Sequence, residues 1–264
     1  NTPMGITKHV LTNLNGLCDI FFVEAGATSP GDIKEIAKMI NPKLGVITSI
    51  GPQHLSSFKS IDNVLKTKWE LAENLQEEGK LVLNYGNKYL NGLSNPLIKE
   101  TLGVNKKYGI YYPTNITYND LYTEFDIYSY DKKIIHIKTK LLGDHNIDNI
   151  VICYGVNKLL DDKFYISDKD FIESILNLTN VENRLSLKEE NINNVLFRYI
   201  DDSFNSNVEG FISACKVLKR LSGIKCIITP GIVDGGKYKE SIALSIISSL
   251  DLLSSGYYKE DGIY

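Results

Sequence analysis

The chain has 264 residues, a length that fits one large domain or two modest ones. Hydrophobic residues make up 43% and charged residues 23%, so we expect a globular protein with a substantial core. The formal net charge of −3 argues against a nucleic-acid-binding protein, and no run approaches the roughly 18 apolar residues that membrane insertion needs.

The first part of the chain alternates predicted strands with predicted helices. An apolar run at residues 18–23 predicts a buried parallel strand, and the spacing of apolar residues predicts a helix at 31–40. A second strand is predicted at 44–50, and Ser60 can cap the long helix that follows it. A third strand is predicted at 80–84. This alternation predicts a doubly wound, mostly parallel α/β sheet.

The second part of the chain has a different pattern. Between residues 106 and 140, β-branched and aromatic residues alternate with charges, which predicts half-exposed antiparallel strands. A helix is predicted after Gly143, and a polar stretch at 179–183 predicts a domain boundary. The elements predicted beyond it are a strand at 195–200, a helix at 208–221 and a strand at 225–229. These would begin a second α/β unit.

Three polar residues follow the predicted strands at their carboxyl ends, where open parallel sheets bind ligands: Glu24, His54 and Asn84. Glu24 and His54 could share a divalent cation, or they could be ordinary polar loop residues. Lys68 lies on the apolar stripe of its helix. Such a lysine either extends its ammonium to water or, made neutral by burial, reacts with carbon dioxide to form a carbamate that can hold magnesium.

Several segments, taken jointly, resemble the Mur ligase family. In the first half they are NTPMGIT at 1–7, VEAGA at 23–27, ITSIGPQHL at 47–55, FKSI at 58–61 and KTKWEL at 66–71. In the second half they are GDHN at 143–146, NRL at 183–185, DDSFNSN at 201–207 and TPGIV at 229–233. They are most similar to the branch of the family that joins D-alanyl-D-alanine to UDP-N-acetylmuramoyl-tripeptide, and they are collinear.

The resemblance implies the fold of the Mur ligase central ATPase domain for residues 1–180, a mostly parallel sheet with a small antiparallel region. Residues 181–264 would begin the Rossmann-like α/β C-terminal domain. It also implies a cytoplasmic, monomeric ligase of peptidoglycan precursor synthesis. That enzyme would use ATP and Mg²⁺ to activate the tripeptide as an acyl phosphate, which D-alanyl-D-alanine then attacks. Neither nucleic acid nor a membrane is an expected partner.

The resemblance also implies roles for individual residues, carried over position by position. The catalytic metal ligands would be Glu24, His54 and a carbamylated Lys68. The nucleotide would be bound by Asn146 at the adenine, Arg184 at the phosphates or ribose, and Asp202 at the ribose. The substrates would be contacted by Asn1, Thr2, Ser203, Asn205 and Asn207.

The sequence departs from the family at specific places. No G-x-x-x-x-G-K-[ST] phosphate loop occurs in the chain. In the family this loop lies just upstream of the segment matching Asn1. We therefore expect the loop and the UDP-binding domain to be missing, and the chain alone to have little or no ligase activity. Asp144 stands in place of an arginine, and Asn183 in place of a glycine, although asparagine tolerates a left-handed backbone.

Two alternative functions stay open from the sequence. One is a sister ligase that adds D-glutamate or a diamino acid, or a folylpolyglutamate synthase. The other is a non-catalytic remnant that keeps the fold. The four cysteines form no CxxC pair and are expected to be reduced core thiols of a cytoplasmic protein.

Overall fold

The computed structural model describes residues 2–52, 55–119, 121–204 and 208–229. The chain divides into two compact units, the first formed by residues 1–112 and 152–164 and the second by 113–151 and 165–264. The helices are α1 (Pro3–Asn13), α2 (Asp32–Ile40), α3 (Leu55–Phe58), α4 (Ile61–Glu73), α5 (Asp144–Leu159), α6 (Asp168–Asn177) and α7 (Val208–Arg220). The strands are β1 (Leu44–Ile47), β2 (Lys80–Asn84), β3 (Glu100–Val104), β4 (Tyr112–Tyr118), β5 (Thr123–Ser129), β6 (Lys132–Thr139), β7 (Ser186–Ile192) and β8 (Val195–Asp201).

The first unit contains a parallel sheet with the strand order β1-β2-β3. In register, Val46 pairs with Val82, which pairs with Leu102 on the other side. β2 is the central strand, and its apolar residues on both faces are fully buried, as expected of a strand covered on both sides. The predicted parallel α/β sheet is confirmed.

The helices of this unit follow the predicted apolar periodicity. α2 buries Ile33, Ile36 and Ala37. α4 begins after Ser60, whose side chain accepts a hydrogen bond from Asn63 N at 3.2 Å, so the predicted cap is confirmed. These helices are local in origin, since an amphipathic stripe and a capping side chain both act within a few residues.

One predicted strand of the first unit is wrong. Residues 18–23 form no strand, and Phe22 is 77% exposed. A strand requires a neighbour for its backbone hydrogen bonds, and β1 pairs with β2 alone among the described residues. The strand predicted at 44–50 is also shorter, since β1 ends at Ile47, three residues before Ile50.

The second unit contains two small sheets. β4, β5 and β6 form one, in which β5 and β6 are antiparallel and Asp126 faces His136 across the ladder. This confirms the antiparallel region predicted between 106 and 140. β7 and β8 form an antiparallel hairpin followed by α7. A small apolar cluster brings together Leu142 and Leu185, which precede the hairpin in the sequence, and Val217, which follows it.

Two further predictions are corrected in the second part of the chain. Residues 225–229 form no strand, and Ile228 is 96% exposed. The cysteines are free thiols, but Cys215 is the one that is buried, so the expected core position is wrong for the other three. No helix in the described ranges is both long and apolar enough to cross a bilayer.

Candidate functional site

Lys68 is half-buried on α4, and its side chain reaches back toward the sheet. Its Nζ donates a hydrogen bond to the carbonyl oxygen of Ser49 at 2.9 Å. Ser49 lies two residues after β1 ends, so the Lys68 nitrogen is held beside the carboxyl end of a parallel strand. This is the edge of the sheet at which open α/β folds bind their ligands.

Glu24 lies in the segment without regular secondary structure that precedes α2, and its side chain is exposed. The turn between Glu24 and α2 is fixed by Asp32, whose Oδ2 accepts hydrogen bonds from the backbone nitrogens of Thr28 and Ser29, both at 2.9 Å. These bonds lower the pKa of Asp32, the bond from Thr28 most. An exposed carboxylate on a fixed loop is a suitable oxygen ligand for a hard cation.

Four of the predicted site residues lie outside the described residues: Asn1, His54, Asn205 and Asn207. Across the ranges that the structure describes, no three His, Cys, Asp or Glu side chains form a group able to hold a metal ion. A metal site built from Glu24, His54 and Lys68 therefore depends on a residue outside those ranges.

Asn84 ends β2 but serves the local fold. Its side chain is buried, and its Oδ1 accepts hydrogen bonds from Gly86 N at 2.9 Å and from Asn105 Nδ2 at 3.0 Å. Thr2 also has a structural bond, because its Oγ1 caps α1 by accepting from Gly5 N at 3.2 Å.

In the second unit, Gly143 opens the turn into α5. It has a φ of +89°, and a Cβ added there would lie 2.7 Å from both His145 Cε1 and Leu185 Cδ2. Only glycine fits such a position without strain. The turn is also held by Asn146, whose Nδ2 donates to Leu142 O at 2.7 Å. Because Nδ2 carries two hydrogens, the amide keeps the capacity to contact a ligand.

Two segments that carry predicted nucleotide contacts are joined to each other. Asp202 Oδ1 accepts a hydrogen bond from Leu185 N at 3.0 Å, and Phe204 N donates to Asn183 O at 3.0 Å. Asn183 has a φ of +62°, the left-handed backbone that its side chain tolerates. Arg184 is exposed between these bonds, with its guanidinium carbon 4.4 Å from the centre of the Phe204 ring.

The electrostatics of this cluster depend on partial burial. Loss of water raises the pKa of the Asp202 carboxyl, and it lowers the pKa of the His145 imidazole. Ser203 donates to the neighbouring carboxylate of Asp201, from Oγ at 2.7 Å and from its backbone nitrogen at 3.2 Å. The second unit thus brings Arg184, Asp202 and His145 together, with Asn146 one residue after His145.

Asp144, which departs from the family pattern, lies in a network of three partners. Tyr118 Oη donates to its Oδ1 at 2.7 Å, Arg220 Nη2 donates to the same oxygen at 3.0 Å, and Lys216 Nζ lies 3.7 Å from Oδ2. Burial acts to raise the pKa of Asp144, but the bonds from Tyr118 and Arg220 lower it overall.

Sequence reasoning did not assign a role to Glu70 or Phe204, although both lie in segments that resemble the family. Glu70 binds the start of α2, and Phe204 supports the Arg184 side chain. The sequence shows that Gly31 offers no side-chain cap to α2, but it does not show which distant side chain binds the first amides of that helix.

Comparisons with known proteins agree with this arrangement. Residues 1–157 match the family model described as "Mur ligase middle domain". The UDP-N-acetylmuramoyl-tripeptide--D-alanyl-D-alanine ligase of Buchnera aphidicola subsp. Baizongia pistaciae is 27% identical over 240 residues, which are 90% of this chain and 50% of that protein. The UDP-N-acetylmuramoylalanine--D-glutamate ligase of Alkaliphilus metalliredigens is 27% identical over 202 residues, which are 74% of this chain and 40% of that protein.

Among solved structures, the MurF ligase from Thermotoga maritima in complex with ADP superposes with a TM-score of 0.83 at 22% identity. The superposition covers 96% of this chain and 56% of that one, and it confirms the fold. The chain spans about half the length of the curated relatives that it matches.

Proposed function

The chain belongs to the Mur ligase family, and we propose that it forms part of an ATP-dependent ligase that joins D-alanyl-D-alanine to UDP-N-acetylmuramoyl-tripeptide. The observation that carries the reaction class is the position of Lys68, a half-buried lysine beside the carboxyl end of β1. The choice of the dipeptide as acceptor is supported by relatives of that name, which match 90% and 81% of this chain. In this function the protein is a cytoplasmic monomer of peptidoglycan precursor synthesis.

We further propose that Glu24, His54 and Lys68 hold Mg²⁺. Glu24 fits this role because its carboxylate is exposed on a loop that is fixed by Asp32. Lys68 fits only in modified form, since an ammonium has hydrogens to donate and no lone pair to offer. A neutral lysine amine adds carbon dioxide and releases a proton, which leaves a carbamate with two oxygens able to bind the cation.

The nucleotide is proposed to bind the second unit at Asn146, Arg184 and Asp202. Arg184 is exposed and supported on Phe204, an arrangement in which a guanidinium can contact a phosphate or ribose oxygen. Asp202 is held by Leu185 N through one of its two oxygens and can accept a hydrogen bond from a ribose hydroxyl. Bound Mg²⁺ would neutralise the charge that develops on the transferring phosphoryl group.

The substrate contacts are proposed at Asn1, Thr2, Ser203, Asn205 and Asn207. We also propose that residues 1–180 form the central domain and that residues 181–264 begin the C-terminal domain. With both substrates bound, the tripeptide carboxylate attacks the terminal phosphate of ATP to give an acyl phosphate and ADP. The D-alanyl-D-alanine amine then attacks the acyl carbon, and phosphate leaves.

The test is a phosphate-release assay on the protein expressed from its natural start to its natural stop, with ATP, Mg²⁺ and UDP-N-acetylmuramoyl-tripeptide. We expect release that depends on D-alanyl-D-alanine. Lys68→Ala should lower the rate about 100-fold or more, since the charge stabilisation by a metal site amounts to several kcal/mol. Added short-chain carboxylates should restore part of it. Lys66→Ala, an exposed lysine of the same helix, is the matched control and should be as active as the wild type.

The acceptor decides between the candidate ligases. Release with D-glutamate and UDP-N-acetylmuramoylalanine, or with a diamino acid and UDP-N-acetylmuramoyl-L-alanyl-D-glutamate, and none with the dipeptide and the tripeptide, would assign the protein to a sister ligase. No release with any of these substrate pairs would favour a remnant that keeps the fold without the chemistry.

A further inference from the structure

Glu70 lies on α4 two residues after Lys68 and binds the beginning of α2. Its Oε1 accepts a hydrogen bond from Gly31 N, and its Oε2 accepts one from Lys34 N, both at 2.9 Å. The first amides of a helix lack partners within the helix, and their partial positive charge favours a carboxylate. Both oxygens of Glu70 are therefore engaged by the backbone of another element.

The start of α2 has no other side-chain cap at its N-cap residue. Gly31 occupies that position with a φ of +97° and makes no side-chain bond. Asp32, the first residue of the helix, bonds backward to Thr28 and Ser29. The loop before α2 is thus closed on itself by Asp32 and is attached to α4 through Glu70.

The same helix fixes a second loop through Lys68. Its Nζ binds the carbonyl oxygen of Ser49, in the loop that leads from β1 toward His54. Residues two apart on a helix do not face the same side, because each residue turns the helix by about 100°. Glu70 and Lys68 therefore extend in different directions from α4, and each holds one of the two loops that carry the other proposed ligands.

We propose that Glu70 is a positioning residue for the metal site, which sets the loop carrying Glu24 relative to Lys68 without binding the cation itself. This inference rests on the proposed metal role of Glu24 and Lys68. Hard cations require their oxygen ligands within narrow distance limits, so a loop displaced by about 0.5 Å or more loses affinity. Because both oxygens of Glu70 already accept hydrogen bonds from backbone amides of α2, we assign this side chain to the loop and not to the cation.

The experiment measures binding of Mn²⁺ alone, as a paramagnetic probe for Mg²⁺, to the full natural protein by electron paramagnetic resonance. Glu70→Ala removes both bonds to α2 and should raise the Mn²⁺ dissociation constant about 10- to 100-fold, the range found when groups that orient ligands are removed. Glu70→Gln keeps the shape and one acceptor, so its effect should be smaller. Glu73→Gln changes an exposed glutamate of the same helix and should leave Mn²⁺ binding unchanged.

Glu24→Gln separates the failure of this inference from the failure of the proposed metal site. If Glu24→Gln binds Mn²⁺ as the wild type does, the metal role of Glu24 is wrong and the positioning role is overturned with it. If Glu24→Gln loses Mn²⁺ but both Glu70 variants bind normally, the metal site stands and the role of Glu70 is overturned. A melting temperature lowered in folded Glu70 variants whose Mn²⁺ affinity is unchanged would also overturn it. Should Glu70→Ala fail to fold, Glu70→Gln decides.

Discussion

Gly143→Ala should destabilise the second unit through two separate effects. The first is backbone strain, since Gly143 has a φ of +89° and L-residues are disfavoured there by roughly 1 to 2 kcal/mol. The second is crowding, because the new methyl group would lie 2.7 Å from Leu185 Cδ2 and from His145 Cε1. The His145 contact is with the end of a side chain that can rotate away, whereas Leu185 is 3% exposed within an apolar cluster.

The size of the crowding effect follows from that difference. Displacing a buried leucine in a packed cluster costs about 1 to 3 kcal/mol. Together with the strain, the free energy of unfolding should fall by about 2 to 5 kcal/mol. Because the turn also positions Asn146 through its bond to Leu142 O, we expect nucleotide binding to weaken as well.

Gly223→Ala is the matched control for this prediction. Gly223 has a φ of +94° in the same unit, but a Cβ there would have no atom within 4 Å. Gly223→Ala should lose only the stability that backbone strain costs. Both variants also gain the same stability from a less flexible unfolded chain, so this gain cancels in the comparison. Urea unfolding followed by circular dichroism measures the difference, which should be about 1 to 3 kcal/mol. Equal losses in the two variants would refute the argument from crowding.

Two charged networks of the second unit give further predictions. Burial acts to raise the pKa of Asp126, but hydrogen bonds from Lys133 and Asn115 help to lower it to about 2. The ionised carboxylate therefore stabilises the fold fully above the unfolded pKa of 3.8, and this stabilisation is lost as the pH falls toward 2. Asp126→Asn should lower the free energy of unfolding by about 1 to 2 kcal/mol at neutral pH, allowing for solvent screening. In urea unfolding, the stability of the variant should fall less steeply with decreasing pH than that of the wild type. An unchanged pH dependence would contradict this prediction. Burial and the hydrogen bond to Asp144 raise the pKa of Tyr118 to about 12. Asp144→Asn should therefore lower the pKa of Tyr118, measured by ultraviolet titration with Tyr118→Phe as the reference. An unchanged pKa would exclude that bond as a cause.

The helices were predictable because their signals are local. The apolar spacing of α2 and α7, and the Ser60 cap of α4, each lie within the segment that they specify. The strands predicted at 18–23 and 225–229 failed for the opposite reason. An apolar run indicates that a segment can be buried, but a strand also requires a partner elsewhere in the chain.

The sequence suggests which residues form the candidate site, and these assignments stay predictions, but it does not indicate the contacts that those residues make. The apolar stripe of α4 identified Lys68, and the structure adds that its nitrogen binds the Ser49 carbonyl. Glu70 was part of the same segment, yet its function depends on Gly31 and Lys34, more than 30 residues away. Nothing in the spacing around Glu70 indicates that its two oxygens bind the first amides of another helix.

Asp144 shows why a substitution within a motif cannot be interpreted from the motif alone. The sequence indicates only that an acidic residue replaces an expected basic one. The structure places Arg220 and Lys216, from the last turns of α7, beside this carboxylate. Residues 144 and 220 are 76 positions apart, so no local pattern could pair them. Tyr118 and the two cations surround the Asp144 carboxylate. Positive charge is therefore still present near the start of α5, and it is supplied by Arg220 and Lys216 of α7.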